Sequence, residues 1–256
     1  GYLSQKMGGA IDTFMCRTFA KRPVDLPKGR FVSLCFDDFP RSAALTAAPM
    51  IEAYGWRATW YVAGGFMGTF EAHYGPMFTQ MDLRALSARG HDIGCHTFDH
   101  VDCSALSREE ILEQCERNLQ FLKQQGIENT RSFAFPFGAV SLEAKRALSA
   151  GALALRGVKP GTNRGSVDLK MLKACGLQAN EGGTGRALQE LKTLSEQDGW
   201  LILFTHDVRM EHSPWGVTPG VYADLLSAIS QSGAEVLSVG EMVARLTAQD
   251  GTALAA

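Results

Sequence analysis

The sequence predicts a single-domain α/β protein, a distorted (β/α)7–8 barrel of parallel strands. Three observations lead there. Short β-branched or aromatic runs alternate with helix-like segments along the chain. Roughly eight such runs occur, which suits a barrel better than an open sheet. The length of 256 residues and a 45% hydrophobic content suit one large core. No Pro/Gly/Ser-rich linker or shift of composition divides the chain. Residues 1–29 read as an N-terminal extension and residues 30–256 as the barrel domain.

The elements follow in order. "RFVSLCF" (30–36) is a strand that ends at Asp37 and Asp38. "RSAALTAAPMIEAYG" (41–55) is a helix closed by Gly55. "RATWYV" (57–62) is a strand. "TQMDLRALSARG" (79–90) is a helix with Gly90 at its C-terminal end, and "HDIGCH" (91–96) is the next strand. The clearest helix covers 107–125. Ser107 and Glu110 form a capping box, and Ile111, Leu112, Cys115, Leu119 and Leu122 share a face. "RSFAFPF" (131–137) is a strand, "SLEAKRALSAG" (141–151) a helix and "ALALRGV" (152–158) a strand. "GRALQELKTLSEQDG" (185–199) is a helix before the strand "WLILFTH" (200–206). A helix over 222–233, the run "AEVLSV" (234–239) and a last helix from Gly240 close the pattern.

Composition limits the partners. The net charge is −2, with no basic block, so nucleic acid and anionic membrane surfaces are not expected. No apolar run is long enough for a transmembrane helix. The first residues lack the apolar core of a signal peptide. The six cysteines include no CxxC pair, and Cys35, Cys95 and Cys175 sit in apolar runs. Reduced thiols and a cytoplasmic setting are expected. The rival reading, a zinc site using Cys95 or Cys103, lacks the paired spacing of such sites.

The polar residues fall at strand ends: Asp37 and Asp38, then His96 and His100, then Pro136 and Gly138, then His206 and Asp207. Singly, each has a bland explanation. Adjacent aspartates cap helices, HxxxH decorates surfaces, a histidine after a strand is a structural hydrogen-bonder, and "FPFG" is a turn. Together they sit where a parallel barrel opens all its strand ends on one face. Two imidazoles and a carboxylate suit a divalent transition metal with open positions. A second carboxylate there can take a proton from water, and a further histidine can give one to a leaving group.

"FDDFP", "HTFDH", "FAFPFG" and "LILFTHD", in this order, resemble the successive motifs of the polysaccharide deacetylase family, the NodB-homology or carbohydrate esterase family 4 domains. The resemblance spans roughly Arg30 to Met242. It implies a distorted (β/α)7 barrel and metal-dependent removal of acetyl groups, usually N-acetyl, from a saccharide, polysaccharide or glycolipid. It implies Asp37 as catalytic base, with Asp38, His96 and His100 as metal ligands. The backbone N–H of Phe137 serves the oxyanion, and His206 is the general acid. The metal expected is zinc before cobalt, nickel or manganese.

Three departures stand out. Phe39 replaces the family's glycine, with a ring expected to narrow the site. Ala134 stands where many members carry an arginine that holds the base, and Arg131 lies three residues earlier. No clear fourth motif supplies an aspartate for the acid histidine or a groove tryptophan, and Asp168 and Trp215 are the candidates. Phe39, Pro136, Gly138, Asp168 and Trp215 are thus the expected groove residues. Three other readings remain open at this stage: a related barrel hydrolase for another C–N bond (allantoinase-like), a non-catalytic metal-containing glycan binder, and an iron oxygenase using the same ligand set.

Overall fold

In the computed structural model, residues 14–178 and 183–249 are described. Twelve strands occur among them: β1 (Pro23–Asp25), β2 (Arg30–Asp37), β3 (Thr59–Val62), β4 (Phe70–Glu71), β5 (Gly75–Pro76), β6 (Asp92–Cys95), β7 (Ser132–Ala134), β8 (Ala154–Arg156), β9 (Ser166–Asp168), β10 (Cys175–Gly176), β11 (Gly199–Thr205) and β12 (Glu235–Val236). Residues 14–18 are helical, and the helices after them are α1 (Arg41–Glu52), α2 (Gln80–Ala88), α3 (Arg108–Gln124), α4 (Leu142–Ser149), α5 (Gly183–Leu194), α6 (Pro219–Ser232) and α7 (Val239–Gln249).

The main sheet runs β10-β11-β2-β3-β6-β7-β8, and β12 pairs with the start of β2. Every pairing in it is parallel. The segment after β8 curls back across the open side. It bridges Arg156 to Leu172 at one edge and Asn163 to Trp200 on the far side. The result is the curled parallel half-barrel that the strand–helix alternation predicts.

Burial follows the sequence pattern. In β2 every residue after Arg30 is buried, and all of β11 is. A near-continuous apolar run of this kind is what a strand covered on both faces requires. Both predicted caps of α3 form: Ser107 accepts from Glu110 N–H, and the Glu110 carboxylate accepts from Ser107 N–H. The helix α2 has the same box from Thr79 and Asp82. The described part of the extension packs on the barrel. β1 pairs antiparallel with β9, and the ammonium of Lys145 donates to the carbonyls of Cys16 and Phe19.

The predicted strands 131–137 and 152–158 shorten to β7 and β8. After β7 the chain turns through a 3-10 segment, Pro136–Gly138, in which Phe137 is left-handed. The short strands β4, β5, β9 and β10 carry too few residues for a period to register in sequence.

Candidate active site

β2 ends in Asp37, and successive strand residues face opposite sides. The chain solves this with two consecutive left-handed residues, Asp38 at φ 65° and Phe39 at φ 64°. They bend the backbone so that both carboxylates line one cavity of about 480 Å³. Thr97 and His100 after β6, and Phe137 after β7, are left-handed too. Such conformations cost non-glycine residues on the order of 1 kcal/mol or more each and mark sites where direction matters more than ease.

Asp38, His96 and His100 present ligand atoms that all lie within 4.8 Å of one another. Asp38 Oδ1 sits 3.1 Å from His96 Nε2 and 2.9 Å from His100 Nε2. His96 Nδ1 lies 2.7 Å from the carbonyl of Ala134, to which it donates. In a neutral ring this leaves the Nε2 lone pair aimed at a carboxylate, an arrangement that wants a cation between them. Two imidazoles and a carboxylate this close together are a donor set that a divalent ion takes. The donor set therefore fits a divalent ion. Burial acts to raise the Asp38 pKa. Hydrogen bonding to His100 and His96, with the nearby His206, outweighs it and holds this carboxyl well below its usual range.

Asp37 is held from the far side. The Arg156 guanidinium donates to Asp37 Oδ2 at 2.6 Å, with both side chains almost wholly buried. The guanidinium lies between two aromatic faces, 4.8 Å from the Tyr61 centroid and 4.6 Å from that of Phe204. Burial works against its charge, but the Asp37 charge leads the effects that hold its pKa above the usual value. Asp37 Oδ1 is buried without a protein partner among the described residues. Arg156 is the register partner of Ala134 across β7 and β8. The arginine missing from position 134 is thus replaced in space from the next strand. Arg131 lies before β7, beside Asp92 in a different pocket, and does not reach the site.

His206 follows β11. Its Nδ1 lies 3.2 Å from the Trp215 carbonyl, and its Nε2 lies 3.8 Å from Asp38 Oδ2. The Tyr74 ring stacks on it at 5.7 Å. Tyr74 is pushed far above the usual phenol range by burial, then by the charge of Asp38 and hydrogen bonding to it. His73 and Tyr74 both pack edge-on against Trp215. The β4–β5 hairpin, with Glu71, His73 and Tyr74, thus forms one wall of the cavity. The sequence reading did not find this wall, nor Arg156.

Gly138 and Trp215 line the cavity, and the exposed Phe137 ring packs on His100 at its mouth. Three expectations are corrected. Phe39 does not narrow the site: it is 0% exposed, and its ring stacks on Phe78 at 4.7 Å and tilts against Trp60. The left-handed bend that brings Asp38 into the cavity sends the next side chain into the core. Pro136 is buried beneath the turn and does not line the cavity. Asp168 does not tune His206. Its carboxylate takes Lys145 Nζ at 2.6 Å and the N–H groups of Arg22 and Lys170, outside this cavity. The acceptor facing His206 Nδ1 is a backbone carbonyl.

A curled parallel sheet with carboxylates and histidines gathered at its strand ends defines a (β/α)-barrel protein with a candidate metal-ligand cluster in its cavity. The sequence comparison sharpens this. The model of the polysaccharide deacetylase family matches residues 25–154, and the chain belongs to that family. The putative polysaccharide deacetylase YxkH of Bacillus subtilis (strain 168) is 22% identical over 121 residues, 47% of this chain. The match spans 42% of that relative's length. The Xyl-CE4 domain of a multidomain xylanase from the hindgut metagenome of Trinervitermes trinervoides superposes with a TM-score of 0.59 at 17% identity, covering 88% of this chain and 93% of that one. A family 4 acetyl xylan esterase from Clostridium thermocellum, in complex with a cobalt ion, gives 0.58 at 20% identity, covering 88% of this chain and 94% of that one. At these identities the structural likeness establishes the shared fold.

Proposed function

We propose that the protein is a metal-dependent deacetylase acting on an acetylated saccharide, polysaccharide or glycolipid, with N-acetyl as the first candidate bond. The observation that carries this reading is one cavity holding both the Asp38–His96–His100 cluster and an Asp37 carboxylate clamped by Arg156. Asp38, His96 and His100 would hold a divalent ion, zinc before cobalt, nickel or manganese. Such an ion supplies Lewis-acid polarisation of the acetyl carbonyl and brings the pKa of a water to about 7.

The protein groups then divide the proton work. Asp37, held in place by Arg156 at Oδ2, accepts the proton of the attacking water at its unpartnered oxygen. The backbone N–H of Phe137 donates to the developing oxyanion. His206 gives the leaving amine a proton carried on Nε2. Its Nδ1–H donates to the Trp215 carbonyl throughout, which orients the ring so that Nε2 faces the cavity. Trp215 and the hairpin wall offer aromatic surface against which a sugar ring packs.

The test is acetate release from a panel of N- and O-acetylated oligosaccharides, with and without chelator, for wild type and His96→Ala. Metal-dependent release that His96→Ala abolishes along with metal binding supports the reading. Ring opening of a cyclic amide without acetate release would move the activity to another C–N bond. Tight glycan binding with no turnover in any metal would leave a non-catalytic binder.

A further inference from the structure

Beside the carboxylate–histidine cavity lies a second one, of about 440 Å³. Gly138 and Val158 line both, so a thin ridge divides them. The ridge is thin because position 138 has no side chain: a Cβ there would collide with the Val158 methyls. The second cavity has the volume of an ordinary small-ligand pocket, roughly 300–1,000 Å³.

Its charge is one-sided. Among the described residues, Arg17, Lys21, Lys159, Arg164 and Lys173 line it against a single acid, Asp168. That acid is already neutralised by the fully buried Lys145 side chain. Arg164 is tied to the carbonyls of Gln197 and Asp198. Among the described residues, Arg17, Lys21, Lys159 and Lys173 make no ion pair. The cations also crowd one another. Partial burial, then the charges of Arg17 and Lys173, lower the pKa of Lys159. A chain of net charge −2 has thus gathered unpaired positive charge into one concavity. Such a concavity focuses a field that attracts anions. A solvated basic surface would be the bland explanation, but these side chains ring a hollow that adjoins the reacting cavity.

We propose that this cavity is a subsite for an anionic group, carboxylate or phosphate, carried by the saccharide whose acetyl group enters the neighbouring cavity. The substrate is then an acidic glycan, with its charge across the Gly138–Val158 ridge from the acetyl group. This rests on the deacetylase reading and specifies its substrate class.

The experiment measures kcat/KM on acetylated oligosaccharides of equal length in three forms: neutral, uronate-bearing and phosphate-bearing. Each is assayed at low salt and in about 0.5 M salt, where exposed charges are screened beyond a few ångström. The enzymes are wild type and Lys159→Gln/Lys173→Gln. An acidic form should lead the neutral one by about tenfold at low salt, mostly through KM, and salt should close the gap. The double variant should bring the acidic-to-neutral ratio close to one. Whichever acidic form leads identifies the anion. Equal kcat/KM for acidic and neutral forms, or a gap that survives the double variant, overturns the proposal. If no form is turned over, the deacetylase reading is at fault, and calorimetry on the same chelator-treated proteins decides for the cavity alone. Salt-sensitive binding of the acidic oligosaccharide that the double variant loses upholds the subsite; equal binding of acidic and neutral forms overturns it.

Discussion

Arg156→Met is the perturbation most directly prescribed by the site. Methionine keeps an apolar stem between Tyr61 and Phe204 but removes the donor that sits 2.6 Å from Asp37. Both partners are nearly inaccessible, so the variant leaves an unmatched buried carboxylate. Breaking a buried pair in this way costs about 3–5 kcal/mol. For a chain of this size that lowers Tm by roughly 6–20 °C. Asp37→Asn in the same chain removes the orphaned charge, so the double variant should recover about 2 kcal/mol relative to the sum of the singles. The kinetic sign follows from the same contact. Without the donor that fixes Asp37 Oδ2, the carboxylate loses its position in the cavity, so turnover should fall by on the order of 10²-fold. Metal affinity should change little, since Arg156 touches no member of the Asp38–His96–His100 cluster. Ala134→Arg/Arg156→Ala moves the guanidinium to the register partner on the same sheet face, and should restore part of the lost turnover. The assays are thermal melts and acetate release. Additive melting shifts together with unchanged turnover in Arg156→Met would refute the reasoning.

Asp37→Asn should cut turnover by roughly 10²–10⁴ while metal affinity stays within a few-fold, and Asp38→Asn should weaken both together; calorimetric metal titration beside acetate release checks this. The reverse pattern would exchange their roles. Phe39→Gly should relax a left-handed residue but empty a core site, for a net loss of about 2–4 kcal/mol. Its preference for oligosaccharide length should not change, because the ring lies outside the cavity; denaturant unfolding and a length series read the two effects. Tyr74→Phe should keep the stack on His206 and cost a few-fold in kcat, whereas Tyr74→Ala should cost more, and equal losses in the two would remove the stack from the account.

The parts that could be read from sequence are those with a local cause. The strand–helix alternation, the Ser107–Glu110 box and the polar residues at strand ends follow from period, capping and punctuation. Arg156 was hidden because its meaning is not local. In "ALALRGV" it is one charge in an apolar strand, and only the β7–β8 register sets it beside position 134. The signal was present nonetheless: an arginine within a buried strand needs a carboxylate partner, and Asp37 was available. Asp168 misled for the opposite reason. It looked like a spare acid, but Lys145 and two backbone N–H groups had already claimed it. Phe39 was misplaced because side-chain direction after a strand end depends on φ, which the residue type does not reveal. Glu71 ends a two-residue strand, and His73 and Tyr74 lie in the turn before the next one, where no periodicity could announce them.

The left-handed residues around the cavity set stability against function. Asp38, Phe39, His100 and Phe137 hold backbone shapes that glycine adopts freely. Asp38 and His100 supply donors of the cluster, Phe137 sits at the cavity mouth, and Phe39 is the ring that the same bend drives inward. A population of this gene selected only for a sturdier fold would be rewarded for glycine at His100 or Asp38, and each such gain would dismantle the donor cluster. The cavity persists as an expense that only its use can justify.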